Sequence, residues 1–334
     1  MPGVRIAVIG LGWFGEIHCQ AIAGIPGLEL AALCTRTPER LAELGQKFGV
    51  EKTFTDYHEL LKDPDIDAVS ICTMWDQHTD PALAALAAGK HVFLEKPMAH
   101  SVVDCQRICD AAAVAPGNLM VGHICRFNPR FVAAKREIET GSLGKILSLS
   151  ARRNIPAAWT PEILNKIGPI MGDTIHDTDL MLWLTGDKIV SAFAQTVDLR
   201  GRKYPDVGQT MYRFASGASA IIETVWCMPE KTPFAIDERM SIIGSDGFLH
   251  IQDTFPNIGI CDADGFRSPD TTYWPESHGG ALGGALRDEF LYFIRCINEG
   301  RRPDIITPEE SLAAVRTTLA AEESAATGKM VMLD

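Results

Sequence analysis

The sequence predicts an α/β protein in two parts: a parallel sheet covered by helices over residues 1–124, then an α+β part over residues 125–334. Three features predict it. Short β-branched runs alternate with helical patterns as far as Gly122, and a glycine-rich turn closes the first of those runs. Beyond Phe131 to Thr140, strand-like segments mostly follow one another without regular helices between them.

The run Val4 to Ile9 is apolar on both faces and ends on Gly10, as a strand buried within a parallel sheet does. A helical pattern from Glu16 to Ile25 stops at Pro26-Gly27. A second strand, Leu28 to Cys34, leads into Thr37-Pro38-Glu39-Arg40, a helix start with proline in its first turn, and that helix ends near Gly49. Strand Ala68 to Cys72, helix Pro81 to Ala88, strand His91 to Leu94, helix Val102 to Ala113 and strand Leu119 to Gly122 complete the series. In the second part, helix Phe131 to Thr140 ends at Gly141. Strand-like segments then run Ile146–Arg153, Ile189–Leu199, Gln209–Phe214, Ala218–Val225, Arg239–Ile243 and Gly247–Ile251. Polar glycine turns such as Ala215-Ser216-Gly217 and Gly244-Ser245-Asp246-Gly247 separate several of them, as in antiparallel meanders. Helix Asp173 to Leu184 interrupts the run, and helices Ala285 to Glu299 and Pro308 to Thr327 close the chain, with room to pack back on the first part.

The first strand runs into Gly10-Leu11-Gly12-Trp13-Phe14-Gly15 and then a helix. The glycine spacing has a mechanical reason. Gly10 turns the chain, Gly12 lets backbone approach a pyrophosphate, and Gly15 lets helix and strand pack closely. The helix start offers amides and a positive dipole end to phosphate, so this is the Rossmann dinucleotide signature in its required βαβ setting. An NAD-binding chain usually carries a carboxylate at the end of the second strand, for the ribose 2′-hydroxyl. Here the residues are Cys34-Thr35-Arg36-Thr37. Arg36 can grip a 2′-phosphate through its guanidinium fork, which favours NADP; if it only stacks on adenine, NAD serves as well.

Bulk composition removes other classes. A net charge of −12 and no Lys/Arg run longer than two leave no basic face for nucleic acid. No apolar run approaches the roughly 20 residues of a membrane helix, and the early first strand leaves no room for a secretory leader. The nine cysteines are scattered without zinc spacing, so the reading is buried thiols in a cytoplasmic protein with no metal.

The segment from Ala88 through Glu95-Lys96-Pro97 resembles a hallmark of the Gfo/Idh/MocA oxidoreductase family. So do Thr73 with His78, Val121-Gly122 leading to Arg126-Phe127, the Ile175-His176-Asp177 helix, and Leu286-Arg287-Asp288-Glu289-Phe290, in the right order along almost the whole chain. The resemblance implies a Rossmann domain, a second domain with an open, mostly antiparallel sheet that commonly serves as an oligomer interface (homodimer or homotetramer), NAD or NADP, and a sugar, inositol or keto-sugar substrate. It makes Lys96 catalytic, and puts Thr73, Met74, Trp75, His78 and Glu95 with the glycine turn on the cofactor side.

The residue types suit that chemistry. Moving a hydride to or from a carbinol carbon needs a base for the hydroxyl proton and a donor for the developing alkoxide. Lys96, held before Pro97, is a donor whose pKa desolvation moves easily. His176 is the base candidate, with Asp173 and Asp179 at i−3 and i+3. The family pattern places its acid four residues before the histidine, where this chain has Gly172; Asp173 then either takes that role or caps the helix. His123, Arg126, Asn154 and Asp179 are expected to contact substrate where the two parts meet, with His278 a further possibility. The loop Pro156 to Pro169, with Trp159, is long enough for a lid. Trp75 either stacks near the cofactor or simply packs. Two other functions share these features: a redox-assisted glycoside hydrolase that keeps NAD tightly bound, and a non-catalytic sensor. The first would purify with its cofactor; the second tends to lose the lysine or histidine, and both are present here.

Overall fold

The computed structural model describes residues 3–159, 166–252, 258–263 and 265–333. Contacts divide them into two units: residues up to Asn128 together with Thr271–Leu312, and Pro129–Asp270 together with residues from Ala313 on.

The first unit opens with β1 (Val4–Ile9), α1 (Trp13–Ala23), β2 (Leu28–Cys34), α2 (Pro38–Phe48), β3 (Thr53–Phe54) and α3 (Tyr57–Leu61). Then come β4 (Ala68–Ile71), α4 (Thr79–Ala87), β5 (His91–Glu95), α5 (Val102–Val114) and β6 (Leu119–Gly122). The six strands lie in the order β3-β2-β1-β4-β5-β6, all parallel. Strand order reverses between β1 and β4, the switch point beside which α/β sheets bind ligands. β4 and β6 are buried at every residue, which explains their unbroken apolar runs. The short β3 and α3 escape the sequence reading because two strand residues and five helical ones carry no usable periodicity.

The second unit contains α6 (Pro129–Glu139), β7 (Ile146–Pro156), α7 (Ile175–Thr185), β8 (Ile189–Val197), β9 (Val207–Phe214), β10 (Ser219–Met228), β11 (Asp237–Gly244) and β12 (Phe248–Gln252). A small hairpin, β13 (Ile260–Asp262) with β14 (Gly265–Arg267), follows. Helix α8 (Gly284–Asn298) belongs to the first unit, where Phe290 stacks on Phe93 with centroids 4.5 Å apart. Helix α9 (Pro308–Thr327) and β15 (Val331–Met332) end the chain.

The large sheet of the second unit runs β12-β11-β7-β10-β9-β8-β15. Its pairs are antiparallel except β7 with β10, so the expected meander is interrupted by a strand inserted from earlier in the chain. Side chains alternate across it: Thr210, Tyr212 and Phe214 are buried while Gln209, Met211 and Arg213 are exposed. Helix α7 lies on the buried face, where the Thr178 and Tyr212 hydroxyls are 2.9 Å apart and those of Thr174 and Thr224 2.7 Å apart. Among the described residues no helix is long and apolar enough to cross a membrane.

Candidate active site

The glycine turn is built as its spacing demands. Gly10 has φ +94°, and a Cβ there would lie 2.6 Å from backbone atoms of Cys72 and Thr73. A Cβ on Gly15 would lie 2.0 Å from the Gly10 carbonyl oxygen. Gly12 differs, since a Cβ there would meet nothing within 4 Å. The protein's own atoms do not require that glycine, and the open space beside it suits a pyrophosphate. Helix α1 starts directly after Gly12 with no side-chain cap, so its first amides are placed to bind an anion. Trp13 is exposed, and its ring meets Trp274 edge-on at 5.9 Å while Phe14 meets the same ring at 5.5 Å. Thr35 follows β2, and the exposed Arg36 donates to Gln77 Oε1 at 3.2 Å.

The loops after β4 and β5 carry the next set. The Thr73 hydroxyl donates to the Gln77 carbonyl at 3.2 Å, Met74 is exposed, and half-buried Trp75 meets His100 edge-on at 6.4 Å. His78 is buried, its ring nitrogens 2.8 Å from the Pro97 carbonyl oxygen and 3.0 Å from that of Thr73. Burial holds its pKa below the usual histidine value. It laces the two loops together. Glu95 is buried, and its Oε2 accepts from the Lys96 backbone amide at 3.1 Å; the Lys96 side chain is half-buried.

Arg126 is also turned inward. It is 1% exposed, and Nη1 donates to the Ile305 carbonyl at 2.6 Å and to Glu310 Oε2 at 3.1 Å. His123, directly after the end of β6, is buried, and His278 lies exposed in a glycine-rich turn.

In the second unit, residues Ile170–Thr174 form a π turn leading into α7. Asp173 Oδ2 accepts from Trp226 Nε1 at 2.6 Å, and Asp173 Oδ1 lies 3.9 Å from His176 Nε2. The π turn has Pro169 as its N-cap residue, so Asp173 bridges indole and imidazole and is no cap. A Cβ at residue 172 would sit 2.4 Å from the Trp226 ring, so an acid cannot occupy that position beside this tryptophan. Trp226 escapes the sequence reading, which ends its strand one residue earlier; an indole is an ordinary core residue until its N–H partner is known. Asp179 is buried on the same helix. Asn154 is committed across the sheet: Nδ2 donates to Glu223 Oε1 and Oδ1 accepts from the Val225 amide, both at 2.9 Å. Next to His176 in the chain, Asp177 meets buried Arg153 (3.2 and 3.3 Å), which also meets Glu238 (2.6 Å), a triad that sequence spacing could not reveal. The supposed lid falls partly on residues 160–165, outside the described residues, as does the Trp159 side chain. Among the described residues, no group of three or more His, Cys, Asp or Glu could hold a metal.

A doubly wound sheet with an open anion cradle at its switch point, and a lysine beside a neighbouring strand end, defines a dinucleotide-dependent enzyme. Sequence comparison makes the class specific. Residues 4–123 match the family described as "Oxidoreductase family, NAD-binding Rossmann fold", and residues 131–250 match the GFO/IDH/MocA C-terminal domain. The chain is 30% identical over 340 residues to the myo-inositol 2-dehydrogenase of Thermotoga maritima, covering 99% of each. It is 30% identical over 343 residues to the scyllo-inositol 2-dehydrogenase (NAD(+)) of Bacillus subtilis, covering 99% of this chain and 96% of the other. A crystal structure of a probable dehydrogenase from Thermotoga maritima superimposes with a TM-score of 0.83 at 28% identity, covering 98% of both chains. The chain belongs to the Gfo/Idh/MocA family and is an NAD(P)-dependent oxidoreductase.

Proposed function

We propose that this enzyme oxidises one ring CH–OH of an inositol or a similar polyol to a ketone, or reduces the ketone in the reverse sense. The observation that carries this reading is the presence of an open phosphate cradle at Gly12 and the half-buried Lys96 in one unit. The names of the two full-length relatives support the substrate class. Gly10, Gly12, Trp13, Phe14 and Gly15 would hold the pyrophosphate, Thr35 and Arg36 the adenosine ribose, and Thr73, Met74, Trp75, Glu95 and Lys96 the nicotinamide side. The bound nicotinamide supplies the hydride acceptor or donor. Lys96 donates to the reacting oxygen as charge develops there, and His176 takes the hydroxyl proton, oriented by Asp173, which Trp226 in turn holds. We read Arg36 as a 2′-phosphate clamp and therefore NADP as the preferred cofactor, since no carboxylate stands at the end of β2.

The test is nicotinamide absorbance with myo- and scyllo-inositol, aldoses and methyl glycosides, using NAD⁺ and NADP⁺ in parallel. A substrate-dependent rise with an inositol is expected, larger with NADP⁺, and Arg36→Ala should weaken NADP⁺ about tenfold or more while sparing NAD⁺. A rise with NAD⁺ alone overturns the Arg36 reading. No rise from protein that binds dinucleotide overturns the dehydrogenase.

Trp226→Phe removes the donor to Asp173, together with the outer indole edge that faces Gly172. A lost hydrogen bond to a charged group, worth about 1.5–3 kcal/mol, should lower kcat about tenfold or more at unchanged dinucleotide affinity. Unchanged kcat would mean that Asp173 needs no such anchor.

Two settings follow from the same reading. All nine cysteines are free, which supports a reducing cytoplasmic compartment. Val197, Met211, Ile221, Ile243 and Phe248 are exposed apolar residues on one face of the large sheet, which supports a homodimer or homotetramer.

A further inference from the structure

The first unit buries an imidazole that the chemistry above does not use. His18, on α1, is fully buried; its Nε2 lies 3.2 Å from Glu95 Oε1 and its Nδ1 2.8 Å from Ser70 Oγ. Ser70 Oγ in turn lies 3.6 Å from Cys72 Sγ, at the end of β4. Glu95 spends its other oxygen, Oε2, on the Lys96 backbone amide. Three rings enclose the imidazole edge-on: Phe14 at 4.8 Å, Phe290 at 5.2 Å and Phe93 at 5.6 Å. Gly122 leaves room for the same oxygen, for a Cβ there would lie 2.6 Å from Glu95 Oε1. Apolar residues of similar shape would often fill such a site at no loss of stability. The Nε2–Oε1 contact is an ion-pair approach without hydrogen-bond alignment, and placement of the carboxylate is what such a buried polar pair adds to a core.

We propose that His18 is a positioning residue for hydride transfer: paired with Glu95, it fixes the carboxylate that holds the Lys96 backbone, and so sets where the Lys96 amine stands. The proposal rests on Lys96 acting on the reacting oxygen, as proposed above. Burial opposes charge on the ring, but Cys72 and Glu95 outweigh it and push its pKa up to about 10. The ring thus sits between the Ser70 hydroxyl on one side and the Glu95 carboxylate on the other. Replacing it leaves Glu95 held only on its Oε2 side, and a misplaced Lys96 amine costs rate, not dinucleotide affinity.

The test is a double-mutant cycle with Lys96→Met, read by kcat, by dinucleotide Kd from tryptophan fluorescence, and by Tm. His18→Leu should lower kcat about 10- to 100-fold at nearly unchanged Kd. His18→Gln, which keeps a donor toward Glu95, should recover most of that loss. In the Lys96→Met background the same His18→Leu change should have little further effect on the residual rate, because its influence passes through the lysine. An equal fall in both backgrounds, or a rise in Kd with kcat unmoved, overturns the proposal. If His18→Leu does not fold, Ser70→Ala is read in the same cycle, with a smaller kcat loss expected only when Lys96 is present. Should Lys96→Met alone keep full activity, the reading of Lys96 fails, and this result is distinct from a His18 effect that is absent while Lys96→Met is inactive.

Discussion

Replacing Lys96 by Met should lower kcat by about 100-fold or more while dinucleotide affinity changes by only a few fold. Methionine keeps the length and apolar stem of the lysine and deletes only the ammonium, so packing around the half-buried chain is preserved. The backbone amide at residue 96 still donates to Glu95 Oε2, which keeps the loop in place. The missing group is the donor to a developing alkoxide, a charge that exists in the transition state and hardly in the bound alcohol. Such a loss falls on kcat and kcat/KM alike. Lys96→Arg should not rescue it, because a planar fork on a longer stem cannot put one donor at the same point. Stopped-flow or steady-state absorbance gives kcat, and tryptophan quenching gives Kd. A variant that loses affinity but keeps kcat would make Lys96 a cofactor-binding side chain only.

The parts of the molecule readable from sequence are those specified by neighbours in the chain. Strands β1, β2, β4, β5 and β6 announce themselves as apolar runs because both faces are buried, and the glycine turn announces itself because three backbone positions tolerate no side chain or face open space. What resisted reading depends on distant partners. Nothing within Ile146–Pro156 says that this strand slots between β10 and β11, since turn signals report only consecutive strands. Polarity was likewise ambiguous at His78, Arg126 and Asn154: each has the type of a ligand contact, and each also satisfies atoms of the fold. The glycine at 172 looked like a departure from the family pattern with no cause in the local sequence. Its cause stands far along the chain, in the ring of Trp226.

Arg153→Met should be the most damaging single change in the second unit, destabilising it by about 3–5 kcal/mol at neutral pH. Arg153 is 3% exposed and lies between Asp177 and Glu238, both almost wholly buried, so removing it strands two carboxylates with the more distant Arg130 guanidinium, 3.7 Å from Glu238. The sign of the pH dependence follows from Asp177. Burial raises its pKa to about 6 against the pull of Arg153, whereas an unfolded aspartate titrates near 3.9. The folded chain therefore binds a proton that the unfolded chain has lost, and this group's contribution to stability falls as pH rises from about 4 through 6. Without Arg153 the opposing attraction is gone, the folded pKa climbs further, and the fall continues to higher pH. Urea midpoints for wild type and variant should thus differ less at about pH 5.5 than at about pH 8. A gap that widens on acidification would mean that Asp177 is not the stranded charge. Asp177 also adjoins His176 on α7, so the variant that remains folded at low pH carries a second result. Reduced kcat there would tie the triad to the aim of the imidazole; unchanged kcat would confine the triad to holding helix and sheet together.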